Sequence, residues 1–296
     1  MPDAAIDQVR RFNRAVTERV GALNDHFLGL DRPLGEARLL WEIGRLDGCE
    51  VRLLRSRLGL DSGYVSRLLR ALEKAGLIAV SATGGDRRVR EARITAAGRR
   101  ELELIDERSD ELARSLLAPL SDRQQGRLVA AMREVERLLT AASVEIRPVD
   151  PEDPDAEYCL AEYVAELNGR SEDRVFDPAV GATALPHEVR PPAGEFFVVY
   201  LHGEPIGCGA IKHHPDAPAE IKRMWIAPAA RGLGIGRRLL EELEARARAG
   251  GASVARIETS GVLVEALSLY LASGWVDVPR FNDEPFADHW LEKSLD

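Results

Sequence analysis

Arg231, Gly232, Leu233, Gly234, Ile235 and Gly236 form a glycine-rich loop between two patterned stretches. Residues 219–226 alternate like a strand that Pro228 closes, and Leu239, Leu240, Leu243 and Ala247 recur at helical spacing. A helix that starts on small residues leaves backbone N–H groups without partners at the positive end of its dipole. Such a start holds phosphate or pyrophosphate. Two other glycine loops are excluded. The Walker loop ends in Gly-Lys-Ser/Thr, whereas Gly236 is followed by Arg237 and Arg238. The dinucleotide fingerprint, started at Gly232 or Gly234, puts Arg237 or Leu239 where its third glycine belongs. Glu220, Lys222 and Arg223 also make the preceding strand more polar than a strand buried in a parallel sheet.

A second chemistry lies in the charge. Residues 51–100 hold 12 Lys/Arg against 4 Asp/Glu, a local net of +8 in a chain whose net charge is −9. An acidic protein with one basic block meets a polyanion there. Leu53, Leu54 and Leu58 mark a short helix, Gly59, Leu60 and Asp61 a turn, and Val65, Leu68, Leu69 and Leu72 a second helix. Asp61 or Ser62 caps that second helix and Gly76 stops it, which is a helix-turn-helix pattern. Ser62, Gly63, Tyr64, Ser66, Arg67 and Arg70 are its candidates for the major groove. A strand at 77–80, a hairpin tip at 83–88 and a returning strand at 90–95 follow. Arg87, Arg88 and Arg90 are the candidates for a narrow minor groove.

The remaining elements must position these two clusters. At 296 residues the chain has room for two domains, and its hydrophobic content of 45% suits a folded protein. Ile6, Val9, Val16, Val20, Leu23 and Phe27 stripe one long helix; Leu128, Ala131, Met132, Val135, Leu138 and Leu139 stripe another. These helices pack together or serve dimerisation. A strand at 144–148, a capping run at 150–155 and a helix through Tyr158, Leu160, Tyr163 and Leu167 open the second half. Residues 170–194 carry four prolines without periodicity and are expected either beside an acceptor pocket or as a plain surface loop. A hairpin joins 196–201 to 205–211 across His202, Gly203 and Glu204. A strand at 253–259, a helix at 263–273 and a strand near 287–293 complete the chain. No apolar run reaches membrane-spanning length, no signal peptide starts at Met1, and Cys49, Cys159 and Cys208 are scattered, so a reducing cytoplasm is expected. His213 and His214 have no third ligand at suitable spacing, so no metal is expected.

The wing at 86–88, followed by Ile94, Thr95 and Gly98, resembles the MarR winged-helix regulators over residues 1–144. Val80 departs from the arginine frequent there. That resemblance implies a homodimer reading two half-sites of a pseudo-palindromic double-stranded DNA operator. Arg231, Gly234 and Gly236 fit the Arg/Gln-x-x-Gly-x-Gly/Ala loop of the GNAT N-acetyltransferases, and 266–275 is similar to that family's A-x-x-L-Y-x-x-x-G-F segment. This second resemblance covers residues 145–296. Together they imply a multidomain α and α+β chain, a winged helix-turn-helix with long dimerisation helices followed by a mixed sheet flanked by helices. They imply acetyl-CoA held by 231–237, with backbone groups of Met224, Trp225 and Ile226 pairing with its pantetheine arm. Strand 253–259 should splay from 220–226 to open a cleft. An amine attacking a thioester must lose a proton from a pKa near ~10. The resemblance makes Glu220 the candidate base and Tyr270 the proton donor to the departing thiolate. Leu263 departs from the Asn or Gln that many relatives carry. The expected function is a cytoplasmic DNA-binding regulator that also acetylates an amine. A regulator whose second half only senses acyl-CoA, and an enzyme whose winged helix only dimerises, remain alternatives.

Overall fold

The computed structural model describes residues 3–22, 26–46, 48–82, 90–171, 175–176 and 185–296. It divides into two compact units, 1–132 and 133–296.

The first unit is a winged helix. Helices α1 (Asp3–Arg19), α2 (Leu34–Arg45), α3 (Val51–Leu58) and α4 (Ser62–Lys74) precede a small antiparallel sheet. Strands β1 (Cys49–Glu50), β2 (Ile78–Ala82) and β3 (Arg90–Ile94) lie in the order β1-β3-β2. Helices α5 (Ala96–Leu117) and α6 (Asp122–Ala142) follow, and α6 runs past the division at Met132. Gly59, at φ 61°, ends α3, and the Asp61 carboxylate accepts from Tyr64 N–H at 2.9 Å to start α4. Leu39, Leu40, Ile43, Leu54, Leu69 and Leu72 form the core of this unit.

Thr95 and Gly98 fix the start of α5. Thr95 Oγ1 accepts from Gly98 N–H at 3.0 Å and donates to the Gly76 carbonyl at 2.7 Å. A Cβ on Gly98 would stand 2.1 Å from the Leu77 carbonyl oxygen, so only glycine allows this approach. The first apolar stripe is shorter than its periodicity suggests: α1 ends at Arg19 because Gly21 takes φ 66°. Phe27 sits in a separate short 3₁₀ turn, and Leu23 lies outside the described residues.

The second unit is a seven-stranded mixed sheet. Its strands are β4 (Val144–Val149), β5 (Gly194–Leu201), β6 (Glu204–Lys212), β7 (Ala219–Ile226), β8 (Val254–Thr259), β9 (Val276–Asp277) and β10 (His289–Ser294). The order is β4-β5-β6-β7-β8-β10-β9, antiparallel except for β7 beside β8. His202 and Gly203, both at positive φ, make the tight β5–β6 turn. Alternation along β5 separates two cores. Phe196, Val198 and Tyr200 pack under α7 (Pro154–Arg170), whereas Phe197 and Val199 pack with Leu239, Leu240 and Leu243 of α8 (Ile235–Ala249). Helix α9 (Val264–Ala272) leads to Trp275, whose indole N–H donates to the buried Glu244 carboxylate at 3.0 Å. Lys293 donates to the same carboxylate at 2.8 Å and ties β10 to α8.

Two irregularities open the sheet. The parallel ladder stops after Ala219↔Ala255, Glu220↔Arg256 and Ile221↔Ile257, so β7 from Lys222 onward has no strand on that side. On its other side β7 bulges against Gly209, between Cys208↔Trp225 and Ala210↔Lys222. Arg223 takes φ 57° in this bulge, a left-handed conformation rare for a residue with a side chain.

Candidate active site and nucleic-acid interface

The wedge left by the short ladder holds a cavity of about 430 Å³. Met224, Trp225 and Ile226 of β7 form one wall, the 231–237 loop its mouth, and Tyr270 lines it from α9. Gly232 and Gly234 adopt φ 77° and 79°, and a Cβ on either would meet no atom within 4 Å. Gly234 stands at the start of α8 with no side chain capping it, and Arg238 N–H is the first to bond back, to the Gly234 carbonyl at 3.1 Å. The helix start therefore presents unpaired N–H groups to the cavity, as a pyrophosphate requires. Arg237 lines the same mouth, and Arg137 of α6 donates to the Gly232 carbonyl at 3.1 Å. These residues fit coenzyme A.

Arg231 has a different task from Arg237. Its Nε donates to the Ile226 carbonyl at 2.9 Å, and its Nη2 to Glu166 Oε2 at 2.5 Å. Trp225 Nε1 donates to the same Glu166 oxygen at 2.8 Å. Burial alone would raise the Glu166 pKa, but these two hydrogen bonds outweigh it and hold the carboxyl below its ordinary range. Leu263 lines the cavity as well.

Tyr270 is buried, with its hydroxyl 4.0 Å from Met224 Sδ and its ring 6.2 Å from that of Trp275. Burial pushes its pKa far above the ordinary tyrosine range, so it keeps its proton at neutral pH. Glu220 is half-buried and holds Lys222 Nζ at 2.8 Å and His214 Nε2 at 3.1 Å. Burial raises its pKa, yet the charge of Lys222 wins and draws it below the ordinary glutamate value. Lys222 is 4% exposed and also pairs with Glu258. Burial would strip its proton, but the two carboxylates keep it charged. For Glu258 burial prevails over Lys222 and its pKa is raised.

A second, smaller cavity of about 50 Å³ adjoins the first through Tyr163, which lines both. Lys222, Arg223, Glu258, Glu284, Phe176 and Phe286 also line it. Glu258 therefore faces this space, whereas Glu220 is absent from both linings and reaches it through Lys222. Asn282 donates to Glu258 at 3.4 Å and accepts from Trp290 Nε1 at 2.8 Å. Of the irregular 170–194 segment, Phe176 enters the lining, anchored by Asn168, whose Oδ1 accepts from Phe176 N–H at 2.6 Å.

On the first unit, Ser62, Gly63, Arg67 and Arg70 are exposed along α4, with Tyr64 and Ser66 half-buried between them. The Arg67 guanidinium lies 5.5 Å from the Tyr64 ring centroid, and Arg70 Nε donates to the Ser66 carbonyl at 3.0 Å. Arg90 is exposed at the start of β3, and Arg87 and Arg88 lie outside the described residues. Among the described residues no group of three or more His, Cys, Asp or Glu could hold a metal, and no helix is long and apolar enough to cross a membrane.

Sequence reasoning missed Glu166, Glu258, Glu284 and Arg137. For Glu258 a signal existed: a lysine on a strand inside a sheet needs a carboxylate partner, and Glu258 ends the neighbouring strand.

Residues 159–275 match the family described as "Acetyltransferase (GNAT) family", and residues 28–89 match the "MarR family". An "IAA acetyltransferase" of Azospirillum brasilense is 42% identical over 83 residues, 28% of this chain and 54% of that protein. The chain thus spans about half the length of the curated relative it matches. A GNAT-family acetyltransferase structure from Staphylococcus aureus is similar at 15% identity and a TM-score of 0.45, over 52% of this chain and 99% of the other. A structure of a mutant MarR from E. coli is similar at 20% identity and a TM-score of 0.39, over 43% and 93%.

Proposed function

This chain is a fusion of a MarR-family region with a GNAT-family acetyltransferase region, and from that premise we propose a cytoplasmic regulator that binds DNA and acetylates an amine. The proposed division of labour is 1–144 and 145–296, whereas the two compact units divide after Met132. The observation that carries the enzymatic reading is the uncapped glycine start of α8, set at the mouth of a wedge between β7 and β8.

Acetyl-CoA supplies the activated acetyl group when bound. The N–H groups at the start of α8 hold its pyrophosphate, with Arg137 and Arg237 adding positive charge. The unpaired edge of Met224, Trp225 and Ile226 orients its arm. Tyr270 is the proposed proton donor to the departing sulfur. Burial keeps its hydroxyl protonated but also weakens it as an acid, so the transfer relies on the same dry site making the departing thiolate more basic. Proton removal from the amine belongs to the Glu220–Lys222–Glu258 triad, with Glu258 facing the acceptor and Glu220 setting its charge through Lys222.

For the DNA-binding half, the exposed polar face of α4 and Arg90, with Arg87 and Arg88 of the wing, are the proposed contacts to a pseudo-palindromic operator. Ile6, Val9, Phe12 and Val16 remain exposed on α1, an apolar face that a second copy of the chain would cover in a homodimer. The three cysteines are buried and form no disulfide, which suits a reducing compartment.

Thiol release from acetyl-CoA, measured with a panel of monoamines, polyamines, amino acids and peptides, tests the enzymatic half. Transfer to at least one of them is expected. Binding of acetyl-CoA with no transfer to any of them overturns it.

A further inference from the structure

The smaller cavity is built for more than an amine. Arg223 reaches it from the left-handed bulge of β7, and strain of this kind persists where the surrounding structure fixes a side chain for use. Its guanidinium lies 5.8 Å from the Phe176 ring centroid, and among the described residues no carboxylate forms an ion pair with it. Lys222, by contrast, is fully occupied by Glu220 and Glu258. On the acidic side, Glu284 is only 7% exposed and its Oε2 has no hydrogen-bond partner, while Oε1 accepts only a long bond from Phe286 N–H at 3.4 Å. A buried carboxylate oxygen left unpaired is costly unless a ligand completes it. Among the described residues, the lining thus offers one cation without an ion-pair partner and one anion with an unpaired oxygen.

We propose that this cavity takes an acceptor carrying both an ammonium and a carboxylate, an amino acid, with Arg223 on the carboxylate and Glu258 and Glu284 facing the ammonium. The inference rests on the acyl-transfer reading above. A guanidinium binds a carboxylate through two parallel N–H bonds, which a simple monoamine cannot exploit. A diamine would set a second positive charge against Arg223 and leave Glu284 to compensate alone. A zwitterion adds no net charge to a lining that holds two cations and two anions. Phe176 and Phe286, with ring centroids 4.7 Å apart, present an apolar surface to the side chain.

The chemistry balances with the residues present. The nitrogen–carbon bond forms as the carbon–sulfur bond breaks. The acceptor ammonium loses two protons by way of Glu258, and the sulfur gains one from Tyr270. One of the two protons restores Tyr270, so one proton is released overall.

The test compares glycine, alanine and serine, small enough for a cavity of about 50 Å³, each with the amine that lacks its carboxylate. The readouts are kcat/KM with acetyl-CoA and calorimetric binding to the CoA-loaded full-length protein. At least one amino acid is expected to exceed its amine by about 10- to 100-fold, the range of a hydrogen-bonded ion pair. Arg223→Gly, which accepts the left-handed backbone, should erase that preference, and Arg223→Lys should restore part of it. Amines that perform as well as amino acids overturn the proposal, as does an Arg223→Gly variant that slows both equally. The binding readout still measures carboxylate preference if no pair turns over. Absence of transfer to any amine then counts against the acyl-transfer reading alone.

Discussion

Lys222 and Glu258 pair one position beyond Ile221↔Ile257, the last backbone pairing between β7 and β8. The ion pair stands where the hydrogen-bonded ladder gives out, so the two strands part around a charge rather than around apolar side chains. Lys222→Met should therefore do more than remove a lysine. It leaves Glu220 and Glu258 without their shared counter-ion, at a cost of about 3–5 kcal/mol. Urea unfolding of the full chain measures it, and a loss under about 1 kcal/mol would show that the pair is not desolvated.

The two carboxylates on Lys222 respond oppositely to acid. Glu220 has a depressed pKa in the fold, so its contribution is present above the unfolded glutamate value and is lost as pH falls through the folded one. Glu258 has a raised pKa, so the fold binds its proton more tightly than the unfolded chain does. Stability from that group falls as pH rises from the unfolded value through the folded one. Glu220→Gln should flatten the acid-side loss of stability, and Glu258→Gln should steepen it. Unfolding titrations between the acid range and neutrality read both slopes. Parallel slopes in the two variants would contradict the assignment.

Tyr270→Phe keeps the ring contact with Trp275 and removes only the hydroxyl. A fall in kcat of about 100-fold is expected with little change in acetyl-CoA binding. Steady-state kinetics beside calorimetry separate the two. Unchanged kcat would remove Tyr270 from proton transfer.

Gly98→Ala forces a Cβ against the Leu77 carbonyl oxygen, which is backbone and has nowhere to move. Destabilisation of about 3 kcal/mol is expected. Unfolding monitored by circular dichroism checks it, and a neutral substitution would mean that α5 does not pack so closely on the turn between α4 and β2.

Arg67→Ala, on the exposed face of α4, should weaken operator binding by about 1–3 kcal/mol and relax sequence preference at one position if it reads a base. Arg87→Ala should instead weaken all sequences alike and lower the salt dependence by about one unit if it meets phosphate. Fluorescence anisotropy at several salt concentrations distinguishes them.

The glycine loop, the capped α4 and the Thr95–Gly98 corner are legible in sequence because each is local. Side chain, turn and backbone conformation are fixed within a few residues. The acceptor cavity is not local. Tyr163, Arg223, Glu258 and Glu284 are brought together from α7, β7, β8 and the segment before β10. The bulge at Arg223 is invisible for a further reason: Ile221, Lys222, Arg223 and Met224 read as a strand, with no glycine to announce a positive φ. The α1 stripe failed in the opposite way, since an apolar period ran on past the glycine that breaks the helix.

The three residue pairs that join β7 to β8 carry one more consequence. Beyond Ile221 the amides on that edge of β7 have no strand to shield them from solvent. A ligand lying in the wedge stands in for the missing length of strand. Deuterium uptake at Ile226, whose N–H alternates away from β6, would then slow when the wedge fills, reporting occupancy directly and without a single turnover.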